Sequence, residues 1–176
     1  CSEKKFKVNG TITQAKDSIL YLENMSLSGP RTVDSVKLDE SGNFEFSYKA
    51  APAPEFYRLR IANQIVNIGV DSTETINVKA AYPTMSANYE VSGSEECAKI
   101  RELAYMQLAL QNKVTAIANS NSLGVAAVED SVAKVLDVYK NKVKMDYIFK
   151  EPMKAYAYYA LFQTVQLGNA NMLIFN

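Results

Sequence analysis

The chain has 176 residues, 48% of them apolar and 22% charged, with 19 basic and 19 acidic side chains, two cysteines and no histidine. That length suits one domain or two small ones and allows roughly 70% of the unfolded surface to be buried. The apolar content lies well above the disordered class. A formal charge of zero lacks the basic footprint of a nucleic-acid binder. Without histidine there is no Ser-His-Asp triad, no Cys-His pair, no imidazole metal ligand and no histidine pH switch. Cysteines at positions 1 and 97 form neither a CxxC pair nor a four-cysteine zinc site.

Cys1 opens the chain and Ser2-Glu3-Lys4-Lys5 follow it. A chain that starts this way looks like a processed bacterial lipoprotein, in which Cys1 carries the lipid and residues 1–5 are the leader. The competing explanation is a boundary that falls on cysteine by chance, and cysteine is a rare residue. The lipid reading places the protein in the cell envelope of a Gram-negative bacterium, anchored to a membrane and facing the periplasm or the exterior. The longest uncharged apolar run, Ala155 to Phe162, is too short to span a bilayer.

Residues 6–92 read as β structure. Phe6-Lys7-Val8-Asn9 alternates, and Gly10 suggests a bulge or turn before Thr11-Ile12-Thr13. A turn at Lys16-Asp17 leads into a strand over Ser18–Glu23, and Ser28-Gly29-Pro30 is another break. Thr32–Leu38 and Asn43–Tyr48 flank Asp39-Glu40-Ser41-Gly42, which predicts a hairpin with Gly42 in the left-handed conformation. After the stiff Pro52/Pro54 connection come strands over Phe56–Ala62, Gln64–Val70 and Glu74–Lys79, and a short one over Asn88–Ser92. About seven or eight short strands at this spacing indicate an antiparallel sandwich or barrel-like domain. Four of the five prolines fall in this half, at the expected breaks rather than inside strands.

The period changes at Gly93, so residues 93–176 form a helical region. Ser94 is placed as an N-cap, with Glu95 and Glu96 suited to the helix dipole. Ile100, Leu103, Met106, Leu110, Val114 and Ile117 then recur at helical spacing, until Asn119-Ser120-Asn121-Ser122 breaks the run. Val125, Val128, Val132, Val135, Tyr139, Val143 and Tyr147 form the stripe of a second helix with a charged opposite face. Pro152 opens a third, Met153 to about Leu167, closed by Gly168. That third helix is apolar or aromatic almost all round, which calls for burial on several sides. In isolation the three helices make a hairpin or bundle that leans on the β domain. Asn171–Asn176 is hydrophobic to its end, as though something normally packs beyond it. The fold class is therefore α+β: an antiparallel sandwich followed by three helices.

Candidate chemistry is sparse. Asp39–Asn43 gathers oxygen ligands but lacks EF-hand spacing, and a turn explains each residue. Asp71-Ser72-Thr73-Glu74 reads as a polar turn. Glu95/Glu96 and Glu129/Asp130 are adjacent pairs, not set on one helical face for acid–base work. The seven glycines make no phosphate loop. Tyr21, Phe44, Phe46, Tyr48, Phe56 and Tyr57 either line a peptide- or sugar-binding face or, as alternation predicts for half of them, fill the core. Cys97 lies in the opening turn of the first helix. There the dipole lowers a thiol pKa and the adjacent glutamates oppose it, so it is either a structural cysteine or a reactive thiol.

Several stretches in order, Phe6–Ile12, Ile19–Leu22, Val33–Val36, Ser41–Phe46, Phe56–Leu59, Asp71–Ile76 and Tyr89–Ser94, resemble one family. It is the β domain of unknown function at the N-terminus of Bacteroidetes-type thioredoxin-like lipoproteins. Ala155–Phe162 and Ile174-Phe175-Asn176 are similar to the linker before the thioredoxin-like domain in that family. The resemblance implies an envelope lipoprotein whose redox domain, with a CxxC pair, lies C-terminal to this region. No catalytic residue transfers to any position here, and no cofactor or metal site is expected. The expected role is that of a non-catalytic accessory region of a protein performing thiol–disulfide exchange. A stand-alone envelope protein binding a peptide or carbohydrate through exposed aromatics is the first alternative, and a dimerisation module the second. The expected partners are a membrane through the Cys1 lipid, the chain's own redox domain and a second copy of the chain, with no nucleic acid.

Overall fold

Side chains alternate between buried and exposed along most of the first 92 residues, and this period-two pattern lays down eight strands. A computed structural model describes residues 3–26, 28–120 and 124–166. The strands are β1 (Lys5–Thr13), β2 (Ile19–Ser26), β3 (Gly29–Lys37), β4 (Asn43–Lys49), β5 (Glu55–Ile61), β6 (Gln64–Val70), β7 (Thr75–Ala81) and β8 (Tyr89–Ser92). They build two four-stranded sheets of order β4-β1-β7-β8 and β3-β2-β5-β6. Between the sheets lie Phe6, Val8, Ile12, Leu20, Leu22, Phe46, Tyr57, Leu59, Ile76 and Val78, all nearly or completely buried. Each such side chain contributes about 1.5–3 kcal/mol by leaving water.

The α+β class holds, with several local differences from the sequence reading. One pairing among the described strands, β1 with β7, is parallel. Gly10 makes neither a bulge nor a turn: β1 runs straight through it, opposite Val78 on β7. A Cβ there would sit 1.8 Å from the Val78 carbonyl oxygen, so glycine permits the close approach of the two backbones.

The predicted hairpin over residues 32–48 is not one. β3 pairs with β2 in one sheet and β4 pairs with β1 in the other. The turn itself forms, with Gly42 at φ +71° and the Asp39 carboxylate accepting the Ser41 and Gly42 N–H groups at 3.0 and 3.2 Å. Its anchor is β1, since the Ile12 N–H donates to the Gly42 carbonyl at 2.9 Å. The turn therefore hands the chain from one sheet to the other. Pro30 likewise lies inside β3 rather than at a break, which is tolerated because β3 is an edge strand.

Three helices complete the fold: α1 (Glu95–Ala118), α2 (Val125–Val143) running into a π-helical turn (Lys144–Ile148), and α3 (Ala155–Gln166). The Ser94 hydroxyl accepts the Cys97 N–H at 3.3 Å, as an N-cap should. α2 buries Val132, Leu136, Tyr139 and Val143. Leu136 replaces part of the expected stripe, and Val125, in the opening turn, is 73% exposed. α3 begins two residues later than expected, leaving Pro152 and Met153 exposed ahead of it. Ala155, Tyr156, Ala157, Tyr159 and Ala160 are buried, while Leu161 and Val165 are exposed. Leu167, Gly168 and the segment 171–176 lie outside the described residues, as does Cys1.

The helical half is not a separate bundle. α1 packs on β6 and β8, the edge strands at one side of both sheets, and on the β8 edge its Tyr105 hydroxyl accepts the Tyr89 N–H at 3.2 Å while Arg101 donates to the Tyr89 carbonyl at 2.9 Å. α3 packs on β5, β6 and α1, and α2 packs on α1. Phe56 and Met25, from the β3-β2-β5-β6 sheet, join the helical core with Ile100, Leu103, Tyr156 and Tyr159. That sheet is therefore the middle layer, with the other sheet on one face and helices on the other. No described helix is long and apolar enough to cross a membrane.

Candidate functional site

The outer face of β6 meets α1 and α3 along a seam. Gly69 sits where the three elements converge, and a Cβ on it would come within 2.6 Å of Ile100 and 3.1 Å of Ala155. At one end of the seam, Glu96 of α1 reaches the start of α3, and its Oε2 accepts the Tyr156 N–H at 2.9 Å. Toward the other end, Gln163 of α3 donates to the Leu103 carbonyl at 3.3 Å and to Gln107 Oε1 at 2.7 Å. α1 and α3 therefore run side by side in the same direction, and Asn67 of β6 donates to the Tyr159 hydroxyl between them at 3.3 Å.

The Glu96 end is a carboxyl pair, one member buried and the other half-buried. Glu96 is 5% exposed, and Asp71, at the end of β6, faces both it and the first N–H of α3 on Ala155. The two carboxyls thus cap the first two residues of α3 from outside its own sequence, where the dipole favours negative charge. Lys154 Nζ lies 3.9 Å from Asp71 Oδ2, and Glu74 closes the preceding turn by accepting the Asp71 and Ser72 N–H groups. Burial pushes the Glu96 carboxyl up to about 7, with the Asp71 charge adding to it and the Tyr156 hydrogen bond opposing. Asp71 is raised as well, by burial first, against the pull of Lys154. Asp71 Oδ1 is buried without a donor. The Glu96 and Asp71 side chains interact directly, so a proton held on Glu96 bridges two carboxyls that would otherwise repel.

Adjacency of Glu95 and Glu96 concealed this pair, because the partner comes from another element. Glu96 precedes Ile100 and Leu103 by four and seven residues, so it extends the buried stripe of α1 by one turn. That periodicity was the available signal.

The other end of the seam opens into a cleft of about 760 Å³ between the middle sheet, α1 and α3. Its walls include Pro30, Arg58, Asn67, Gln107, Tyr159 and Phe162. Arg58 donates through Nε to Glu23 at 2.6 Å, and Arg60 donates to the same carboxylate oxygen at 3.1 Å. Burial pushes the Glu23 carboxyl up, but the hydrogen bonds and charges of the two arginines outweigh that and hold it below its ordinary value.

Cys97 is fully buried, and its thiol donates to the Gly69 carbonyl at 3.4 Å. Burial pushes it up to about 11, overriding the helix N-terminus, so the sulfur stays protonated at neutral pH. Among the six aromatics of the β half, Phe44, Phe46 and Tyr57 fill the sandwich, Phe56 enters the helical core, and Tyr21 and Tyr48 are half-buried. They form no exposed aromatic face. No group of three or more metal-ligating side chains occurs among the described residues. Glu129 and Asp130 are exposed, and Asp130 pairs with Lys134 at 3.0 Å.

Residues 6–99 match the family described as "Domain of unknown function (DUF4369)". No curated protein matches the chain. Similar solved structures include (S)-allantoin synthase, at 9% identity over 53% of this chain and 45% of that one, TM-score 0.36. The N-terminal domain of AlgF from P. aeruginosa aligns at 9% identity over 53% of this chain and 98% of that one, TM-score 0.35. A candidate cell adhesion protein from Bacteroides ovatus ATCC 8483 aligns at 10% identity over 53% of this chain and 44% of that one, TM-score 0.30. Likenesses this low say nothing of function.

Proposed function

We propose that this chain, which belongs to the DUF4369 family of unknown function, is a non-catalytic accessory region of a lipid-anchored envelope protein with a thioredoxin-like redox domain. The observation that carries this reading is the shared core of its two halves. α1 is pinned to the edge strands of both sheets, and α3 is capped by carboxyls from α1 and the β6–β7 turn. A helical region held this way is a strut, able to set the distance and orientation of a domain joined to its C-terminal end. The thiol of Cys97 serves that packing, sealed against Gly69.

In this reading Cys1 carries the lipid and the redox chemistry lies beyond residue 176. Sequencing the coding region downstream tests it: a CxxC-bearing domain is expected, and a stop codon directly after Asn176 overturns it. Labelling cells with a radioactive fatty acid tests the anchor, with incorporation expected in the wild type and lost in Cys1→Ala. A second reading, a binding protein of the envelope, is favoured by the cleft at the end of the seam.

A further inference from the structure

Arg58 stands out along the cleft because its charge is positioned but not cancelled. Its side chain is only 18% exposed and is held through Nε on Glu23. Arg60 uses the same carboxylate oxygen, so two guanidinium groups face one carboxylate and a net positive charge remains. The Nη groups of Arg58 make no hydrogen bond among the described residues, although Arg58 lines the cleft. An arginine with its Nε edge anchored and its outer edge free is preorganised to take a second carboxylate.

The neighbouring polar side chains are also half engaged. Asn67 donates to Tyr159, and its carbonyl oxygen accepts no hydrogen bond among the described residues. Gln107 accepts from Gln163, and its amide N–H groups make no hydrogen bond among the described residues. The Ser86 hydroxyl accepts the Ile65 N–H at 2.7 Å and keeps its own proton. Gln163, itself 1% exposed, fixes this wall through Leu103, Gln107 and Tyr159. The unused set offers donors beside an acceptor, which is the complement of a peptide backbone.

We propose that the cleft binds an extended acidic peptide, with a ligand carboxylate on the free edge of Arg58 and ligand backbone amides on Asn67 and Gln107. The volume of about 760 Å³ lies in the range of small-ligand sites. A peptide fits better than a sugar. Sugars stack on open aromatic faces, whereas Tyr159 is only 4% exposed and both it and Phe162 pack against Phe56 with ring centroids 5.4 Å apart. This site does not depend on whether a redox domain lies beyond the chain, so its test is separate from that of the accessory reading.

The test uses the whole 176-residue chain. Three fluorescent alanine pentapeptides serve as probes: one with a central glutamate and an amidated end, one with glutamine there, and one neutral with a free C-terminal carboxylate. An oligomer of glucuronic acid is the fourth probe. Anisotropy and amide chemical-shift mapping report binding. At least one carboxylate peptide is expected to bind tenfold or more tightly than the glutamine peptide, weakening as salt rises, with shifts at Asn67, Gln107 and Phe162. Comparing the two carboxylate peptides identifies a side-chain or a terminal ligand group. Arg58→Gln is expected to erase the preference. Gln107→Glu, on the cleft wall away from the Glu23 pair, should cut carboxylate-peptide affinity at least tenfold with an unchanged melting temperature. Equal binding of all the peptides, shifts confined to other surfaces, or binding of the glucuronate oligomer alone overturns the proposal.

Discussion

A chain without histidine ordinarily has little to titrate between pH 5 and 8, yet the Glu96–Asp71 pair gives this one a stability that changes in that window. Glu96 rises from 4.5 to about 7 on folding, so the folded state holds its proton more tightly than the unfolded state does. The stabilisation is fully present below the unfolded value and is lost as pH rises through about 7. At 1.36 kcal/mol per unit, the ceiling is about 3 kcal/mol. Water at the rim of the cluster screens part of it, so a loss of about 1–3 kcal/mol between pH 5 and 8 is expected. Asp71 is raised too, so it adds a loss of the same sign as pH rises through its own value, while the remaining shifted groups act elsewhere. Glu23 contributes stability that is lost only as pH falls through its lowered value, and the Cys97 thiol sits at about 11.

Urea unfolding at pH 5, 6.5 and 8 measures the loss directly. Glu96→Gln imitates the protonated carboxyl, since an amide still accepts the Tyr156 N–H and can donate to the Asp71 carboxylate. The variant should match the wild type at pH 5, exceed it at pH 8 and flatten the dependence between them. A carbon-13 titration of the Glu96 carboxyl should show a midpoint near 7. A variant weaker than the wild type at pH 8, with the slope unchanged, would refute the reasoning. It would mean that Glu96 is ionised and works as a charged cap.

Gly69→Ala places a Cβ 2.6 Å from Ile100 Cδ1 and should cost about 1–3 kcal/mol by overpacking. Trimming Ile100 to valine in the same chain should recover part of that loss, and strictly additive losses would count against the contact. Cys97 should react with a thiol reagent no faster than the chain opens, because the sulfur is buried and protonated; rapid native-state labelling at pH 7 would contradict its placement. Glu23→Gln leaves Arg58 and Arg60 without their shared carboxylate and should lower stability by about 2 kcal/mol at pH 7. The difference should shrink as pH falls through the lowered pKa of Glu23, and a pH-independent loss would show that the pair is not ionic.

The β half was legible because its core is written in alternation. Phe6 and Val8, Phe44 and Phe46, and Ile76 and Val78 are buried where a period of two puts them. Turn chemistry was equally local: Asp39 and Gly42 form the predicted turn. Sheet membership was not legible, since the same turn serves a hairpin or a crossover. The docking of Gly42 on Ile12, far away in the chain, decided for the crossover. In the helical half the stripe from Ile100 to Val114 and the Ser94 cap were readable, but not the surface that the stripe would cover.

Sequence by itself determined the composition of the site: no histidine, one internal thiol, a few carboxyls and many amides, together with the local periods that make strands and helices. Tertiary structure alone decided what those groups became. Burial turned Cys97 into a packing residue, Asp71 turned Glu96 from one of two glutamates matched to the dipole of their own helix into half of a cap on another, and Glu23 anchored Arg58 at the edge of a cleft. The physical reason is that protonation and binding depend on desolvation and on neighbouring charges. Here Asp71 lies 25 residues from Glu96, and Glu23 lies 35 from Arg58, along the chain.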